Sequence, residues 1–172
     1  LIIVGIDASL TSTGIAVFDD AGIRTYAIQP QITGPERLIE IRNKISHEAK
    51  NADLVFLEGY AFARANQAHQ MGELGGVLRV MFLEMGIKVI EVAPSTVKKF
   101  ATGKGNAKKE DIAVAVYKRW KFEADTNDEI DAYCLLQIGL AYMNRVNGLT
   151  AFQREVIDGL KKEKKAKGKG KK

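Results

Sequence analysis

Four acidic side chains stand where carboxylates are poorly placed for packing and well placed for holding a cation. Asp7 ends the apolar run Leu1-Ile2-Ile3-Val4-Gly5-Ile6, and Glu58 ends the run Leu54-Val55-Phe56-Leu57. Asp128 and Asp131 open a long helix-like segment. A short apolar run bounded by turn residues reads as a buried strand, and an i,i+3 acidic pair shares one helix face. A fold that converged the four would concentrate like charge, and each carboxylate would raise the pKa of the others unless cations lay between them. Oxygen-only ligands suit Mg²⁺ or Mn²⁺. A carboxylate-held divalent pair is an apparatus for hydrolysing a phosphodiester. Each residue also has a plainer explanation. Asp7 could close an Asx-turn, Glu58 could sit at an exposed strand terminus, and acids are favoured in a first helical turn. That last explanation suits Asp128 better than Asp131, which lies beyond the dipole's reach.

A second group of residues could contact phosphate or bases. Thr11, Ser12 and Thr13 put hydroxyls and backbone N–H groups beside Asp7, and Gly14 permits a close approach of the backbone. Lys98, Lys99, Lys104, Lys108 and Lys109 follow one another with no acid between them. Asn106 is the expected N-cap of the next helix, which puts Lys108 and Lys109 in its first turn. Cations there oppose the dipole by roughly 0.3–1 kcal/mol each. With the Gly103/Gly105 loop they make a concentrated anion site; a solvated lysine face is the alternative. Tyr60, Phe62 and Arg64 lie in a stretch without helical or strand period. Aromatics beside a basic residue can stack on bases, or they can be core anchors. Thr126-Asn127-Asp128-Glu129 reads as a capping box, with Glu129 at N3 and its side chain turned to the helix backbone. That removes Glu129 from the metal set. His47 and His69 are isolated.

These residues sit in a chain of 172, enough for one domain with a substantial core. Hydrophobic content is 46% and charged content 27%, ordinary for a globular protein. No apolar stretch is long enough to span a bilayer, and the opening run is too short for a signal-peptide core. Cys134 is the only cysteine, which excludes an intrachain disulfide and a thiolate zinc cluster. A reducing, cytoplasmic compartment is the expectation. The net charge of +5 is uneven: residues 161 to 172 carry eight Lys and one Glu. A near-neutral body with one basic segment and one basic tail suggests a polyanionic partner. A solvated, disordered tail that aids solubility is the other reading.

The elements that must position the site follow from period and punctuation. Residues 1–7, 13–19 and 23–28 read as three strands, with a turn at 20–22. Pro35 opens a helix with Leu38, Ile41, Ile45 and Ala49 on one stripe. Residues 53–58 form a fourth strand, 59–67 are irregular, and a helix runs from about 68 to 85. Residues 87–92 form a fifth strand. A short helix runs from Pro94 to about Thr102, another from the 103–106 loop to about Trp120, and a third from Thr126 to about Val146. A last helix covers 149–160. One domain over 1–160 and a basic disordered tail over 161–172 are expected.

The order β-β-β-α-β-α-β-α-α resembles the ribonuclease H-like fold, an α/β architecture with a five-stranded mixed sheet and helices on both faces. The set Gly5-Ile6-Asp7-x-Ser9, Phe56-Leu57-Glu58, Val97-Lys98-x5-Gly103-x-Gly105-x-Ala107-x-Lys109 and Asp128-x-x-Asp131-Ala132 is similar, in order and spacing, to the RuvC family of Holliday junction resolvases. Each motif is weak singly; the ordered set is specific and covers nearly all of residues 1–146. The resemblance implies that Asp7, Glu58, Asp128 and Asp131 are catalytic carboxylates binding two Mg²⁺, with Mn²⁺ able to substitute. It implies that Lys109 lies near the scissile phosphate and that the protein acts on branched DNA as a homodimer making paired nicks. No nucleotide cofactor or membrane is implied. The family's wedge aromatic falls at Ala61, between Tyr60 and Phe62. The lysine tail and the drift from bacterial motifs look more like phage-encoded members, in which case the compartment is the bacterial host's cytoplasm. An RNA-processing nuclease of the same fold and a non-catalytic DNA-binding protein are the competing readings.

Overall fold

The computed structural model describes the backbone of residues 1–59 and 65–169, and the side chains of residues 1–59 and 72–163. Tyr60, Phe62 and Arg64, the expected base contacts, and Ala61 lie outside the described residues. So do the side chain of His69 and those of most of the lysine-rich end.

The elements are β1 (Ile3–Asp7), β2 (Thr13–Asp19), β3 (Gly22–Ile28), α1 (Glu36–Ala49), β4 (Leu54–Glu58), α2 (Ala65–Glu84), β5 (Val89–Val92), α3 (Pro94–Thr102), α4 (Lys109–Trp120), α5 (Asn127–Tyr142) and α6 (Ala151–Lys169). The five strands form one sheet in the order β3-β2-β1-β4-β5. The meander β1-β2-β3 is antiparallel, and β4 and β5 add in parallel. The mixed sheet is the one expected from the sequence.

Strand alternation divides the core in two. Val4, Ile6, Val55 and Leu57 point to the face covered by α1 and α2, where they meet Ile41, Ile45, Leu74 and Leu78. Ile3, Leu54 and Phe56 point to the opposite face, among the buried residues of α3, α4, α5 and α6. Asp7 continues the Ile3 column and Glu58 the Phe56 column. Both acids are therefore directed to the α5 side by the same period that buries their neighbours.

Helix α5 is nearly all buried from Ala132 to Ala141, as expected of a helix covered on several sides. It lies directly on the sheet because three glycines remove the side chains that would hold it off. A Cβ on Gly5 would stand 2.4 Å from the Ala132 carbonyl oxygen, and one on Gly14 would stand 1.9 Å from that of Asp128. From the helix side, a Cβ on Gly139 would meet Ile3 and Phe56 at 2.7 and 2.8 Å.

Three element boundaries differ from the sequence expectation. Helix α4 takes Lys108, not Asn106, as N-cap, so Lys109 is its first residue. The Lys108 N–H is accepted by the Asp111 carboxylate at 3.3 Å, which supplies the cap that an Asn106 side chain was expected to give. Helix α5 ends at Tyr142, four residues early, and Asn144 follows in the left-handed region at φ 56°. Helix α6 runs to Lys169, so most of the segment expected to be a disordered tail has helical backbone. Its base is fixed by buried Gln153, whose amide donates to the Phe100 carbonyl at 3.3 Å and accepts from Arg119 at 3.3 Å. Among the described residues, no helix is long and apolar enough to cross a membrane.

The Gly14 contact yields a test. Gly14→Ala places a methyl group inside the van der Waals radius of the α5 backbone, and overpacking of this kind costs about 3 kcal/mol. Thermal unfolding should show a loss of that order. Gly72→Ala, where an added Cβ meets nothing within 4 Å among the described residues, should be neutral or slightly stabilising by helix propensity.

Candidate active site

The site lies where β1 and β4 end beneath the first two turns of α5. Parallel pairing of Ile6 with Leu57 brings Asp7 and Glu58 to the same level on adjacent strands. Antiparallel pairing of Asp7 with Gly14 puts Asp7 beside the residue that touches the Asp128 backbone. Thr126 caps α5, its Oγ1 accepting the Glu129 N–H at 3.2 Å. That cap fixes the rotation of the helix and delivers Asp131, one turn on, to the sheet.

The electrostatics show how closely the acids converge. Asp7 is held well above the usual carboxylate range, by burial first and then by the charges of Glu58 and Asp131, a hydrogen bond with Glu58 and the charge of Asp128. Burial raises Glu58 to about 7, with Asp131 adding to the rise. The Asp7 hydrogen bond and the charges of Lys98 and Lys109 oppose it. Burial raises Asp131 to about 6; Lys109 and Lys98 oppose the rise and Asp128 adds to it. The Asp7–Glu58 bond joins two carboxyl groups and so needs a proton between them. Cys134, fully buried one turn after Asp131, has its thiol pushed upward by burial and by the charges of Asp131 and Glu58. Its nearness to the acids was readable from the i,i+3 spacing on α5.

Among the described residues, no group of three or more His, Cys, Asp or Glu side chains is placed so as to hold a metal ion in this arrangement. The chemistry of the donor set nevertheless fits a hard divalent cation. The donors are carboxylate oxygens only, and burial together with neighbouring carboxylate charge disfavours ionisation of Asp7, Glu58 and Asp131 until positive charge arrives. A cation entering between Asp7 and Glu58 would replace the proton that they share.

The structure sorts the remaining sequence candidates. Lys98 and Lys109 act on the acids, from α3 and from the start of α4. Lys104 and Lys108 are exposed. Lys99 is drawn elsewhere, its Nζ lying 2.7 Å from the Glu155 carboxylate on α6. Thr13 is fully buried and closes its own loop: its Oγ1 donates to the Ser9 carbonyl at 2.7 Å and accepts the Ser9 N–H at 3.1 Å. It is a structural residue, not the expected DNA contact. The Ser12 Oγ is also buried and has no partner among the described residues. Only Thr11 of the three hydroxyls is exposed. Glu129 is excluded from the site as expected, but by a different contact. Its carboxylate, 8% exposed, accepts the hydroxyls of Thr126 and of Thr25 on β3, each at 3.1 Å, rather than turning to the helix backbone.

The raised carboxyls set a stability–pH relation with a definite sign. A carboxyl whose folded pKa lies above its unfolded value contributes stability below the unfolded value and loses it as pH rises through the folded one. For Glu58 that window runs from 4.5 to about 7, and for Asp131 from 3.8 to about 6. Thermal unfolding of the metal-free protein should therefore show Tm falling from pH 5 to pH 8. Glu58→Gln should flatten the fall, and a divalent cation should stabilise the wild type more at pH 8 than at pH 5.

The comparisons with known proteins agree with this geometry. The model of the family described as crossover junction endodeoxyribonuclease RuvC matches residues 3–138. Curated proteins of that name from Synechococcus and Chlamydia muridarum are 26% and 31% identical, over 80% and 78% of this chain and 96% and 88% of theirs. One from Rhodopirellula baltica is 34% identical, over 66% of this chain and 70% of its own. Among solved structures, RuvC of Thermus thermophilus superimposes with a TM-score of 0.65 at 25% identity, covering 84% of this chain and 98% of that one. The same protein in complex with a Holliday junction substrate gives 0.66 at 22% identity, covering 84% and 95%. The strand-end acids, the helix seated on them and a family match over most of the chain lead to one conclusion: this chain belongs to the RuvC family of crossover junction endodeoxyribonucleases.

Proposed function

We propose that this protein is a Holliday junction resolvase, a structure-selective endonuclease that nicks four-way DNA junctions using two Mg²⁺ ions, with Mn²⁺ able to replace them. Dependence on a divalent metal follows from membership of the family. The observation that carries the reading is the convergence of acids at the ends of two parallel strands: Asp7 feels the charges of Glu58, Asp131 and Asp128, Glu58 that of Asp131, and Asp131 that of Asp128. Asp7, Glu58, Asp128 and Asp131 would hold the ions, Asp7 being the acid most influenced by the others. Bound there, the ions would activate water for in-line attack and stabilise the leaving 3′-oxygen, giving 5′-phosphate and 3′-hydroxyl ends.

The chain's own residues supply position and charge. Lys109 begins α4, where the helix N-terminus and its ammonium group both attract a phosphate. Lys98 adds positive charge from α3, and its effect on Glu58 and Asp131 puts it within reach of the same phosphate. Thr11 offers an exposed hydroxyl on the loop after Asp7. Tyr60, Phe62 and Arg64, on the segment after Glu58, are proposed to meet the opened crossover. An RNA-cutting nuclease would use the same acids, so the substrate decides between them.

A symmetric junction calls for two sites, and a homodimer is the simplest source. Helix α2 supports it: Val80 and Leu83, three residues apart and so on one face, are 56% and 80% exposed. An apolar face of this kind suits a second copy of the same chain.

Two outcomes test the proposal. Asp7→Asn should lower nicking of a synthetic four-way junction at least a hundredfold, about 2.7 kcal/mol of activation free energy, and leave junction binding nearly intact. Residual nicking above a few per cent would remove Asp7 from the chemistry, and wild-type preference for RNA or linear duplex would reject a resolvase. Leu83→Glu should shift the protein to monomer in sedimentation velocity while thermal unfolding stays close to wild type. A dimer undisturbed by that charge would place the interface elsewhere.

A further inference from the structure

A groove of about 580 Å³ runs between α3 and α4 on the α5 side of the sheet, outside the acidic site. Its lining joins buried apolar Ala101 and Ala107 to exposed cations, Lys104, Lys118 and Arg119. We propose that this groove is a track for the phosphate backbone of a DNA arm as it leaves the catalytic acids. The proposal rests on the nuclease reading above and extends it to the path of the substrate.

Four observations carry it. First, Lys104, Lys108 and Lys118 are exposed and make no side-chain hydrogen bond or ion pair among the described residues. The groove lining holds three cations, Lys104, Lys118 and Arg119, against one acid, Asp111, and this net positive lining suits a phosphate backbone. The α4 dipole accounts for a cation at Lys118, in its last turn, but disfavours Lys108 and Lys109 at its start.

Second, the one acid in the groove, Asp111, has its carboxylate engaged by the Lys108 N–H. Third, Arg119 is pre-set. Its Nη1 donates to the Gln153 side-chain Oε1 at 3.3 Å, and its guanidinium lies 5.4 Å from the Phe152 ring and 5.6 Å from that of Trp120. A guanidinium held in place loses less entropy on meeting a phosphate. The Lys104 loop is held too, since the Thr102 hydroxyl accepts the Lys104 N–H and donates to the Lys98 carbonyl.

Fourth, the track is continuous with the active site. Lys109, which acts on Glu58 and Asp131, begins the helix whose last turn carries Lys118. Nine residues of α-helix span about 14 Å, or about four base-pair steps of duplex at 3.4 Å each. An arm laid along α4 would meet Lys118 about that far from the cut. The apolar part of the lining suits sugar edges between the phosphates.

The test is the salt dependence of DNA binding. Four proteins in the Asp7→Asn background, which should leave DNA uncut, would be compared by fluorescence anisotropy: no further change, Lys104→Gln with Lys118→Gln, Arg119→Lys, and Lys50→Gln. Lys50 is an exposed lysine at the end of α1, across the sheet from the groove. Plots of log K against log salt concentration for a four-way junction should lose about 1.8 in slope in the double variant, about 0.9 for each phosphate contact removed. Arg119→Lys should weaken binding with a smaller slope change, and Lys50→Gln should match the parent. An unchanged slope in the double variant, or an equal loss in Lys50→Gln, overturns the track. Wild-type cleavage of the same junction is measured alongside. Cleavage with an unchanged slope rejects the groove and leaves the nuclease reading standing. A reduced slope without junction cleavage rejects the resolvase reading and leaves the groove standing as a DNA site.

Discussion

The close seating of α5 on the meander is the contact on which the site depends. At Gly5 and Gly14 the sheet presents bare backbone, and the helix backbone comes within the distance that a single methyl group would occupy. The approach places two carboxylates of the first turns of α5 beside those at the ends of β1 and β4. Thr126 then sets the rotation of the helix about its own axis, and the Glu129 carboxylate ties the same turn to Thr25 on β3. Three independent contacts thus hold one turn of helix.

The consequence is an electrostatic imbalance at the point of function. Asp7, Glu58 and Asp131 are each harder to ionise than a free carboxylic acid, with burial the largest cause in all three. Folding therefore does not favour this arrangement; the apolar core on both faces of the sheet sustains it. Lys98 and Lys109 relieve part of the imbalance from outside the acid set. They belong to α3 and α4, the two helices that flank the proposed DNA track. The same charges that soften the site would therefore also draw in its substrate.

Helix α6 stiffens this side of the molecule. Gln153 reaches the Phe100 carbonyl at the end of α3 and receives Arg119 from α4, while Glu155 pairs with Lys99. The three helices that carry the basic residues are thereby joined to one another and to α5 through the shared core. A positively charged surface built from separate helices needs such bracing, since its members repel each other.

Much of this was written in the sequence. The apolar runs predicted that Asp7 and Glu58 would stand at the ends of buried strands, because strand formation is local and each strand end is marked by the loss of apolar residues; the face that each acid takes appears only in the folded sheet. The Thr126 cap predicted the position of Asp128 and Asp131 on α5, because capping is settled within four residues. Family motifs spread over the chain identified the acids as a set. The sequence did not show that the Asp111 carboxylate would displace Asn106 as the source of the α4 cap, that Thr13 would turn inward to Ser9, or that Glu129 would meet Thr25. Each is a competition between nearly equivalent hydrogen-bond partners, and the winner is set by which backbone the surrounding elements bring close. Nor could the sequence alone show that Lys118 and Arg119 border the groove that begins near Lys104. Residues fourteen positions apart become neighbours only when α3 and α4 pack side by side, and that arrangement exists only once the core has formed.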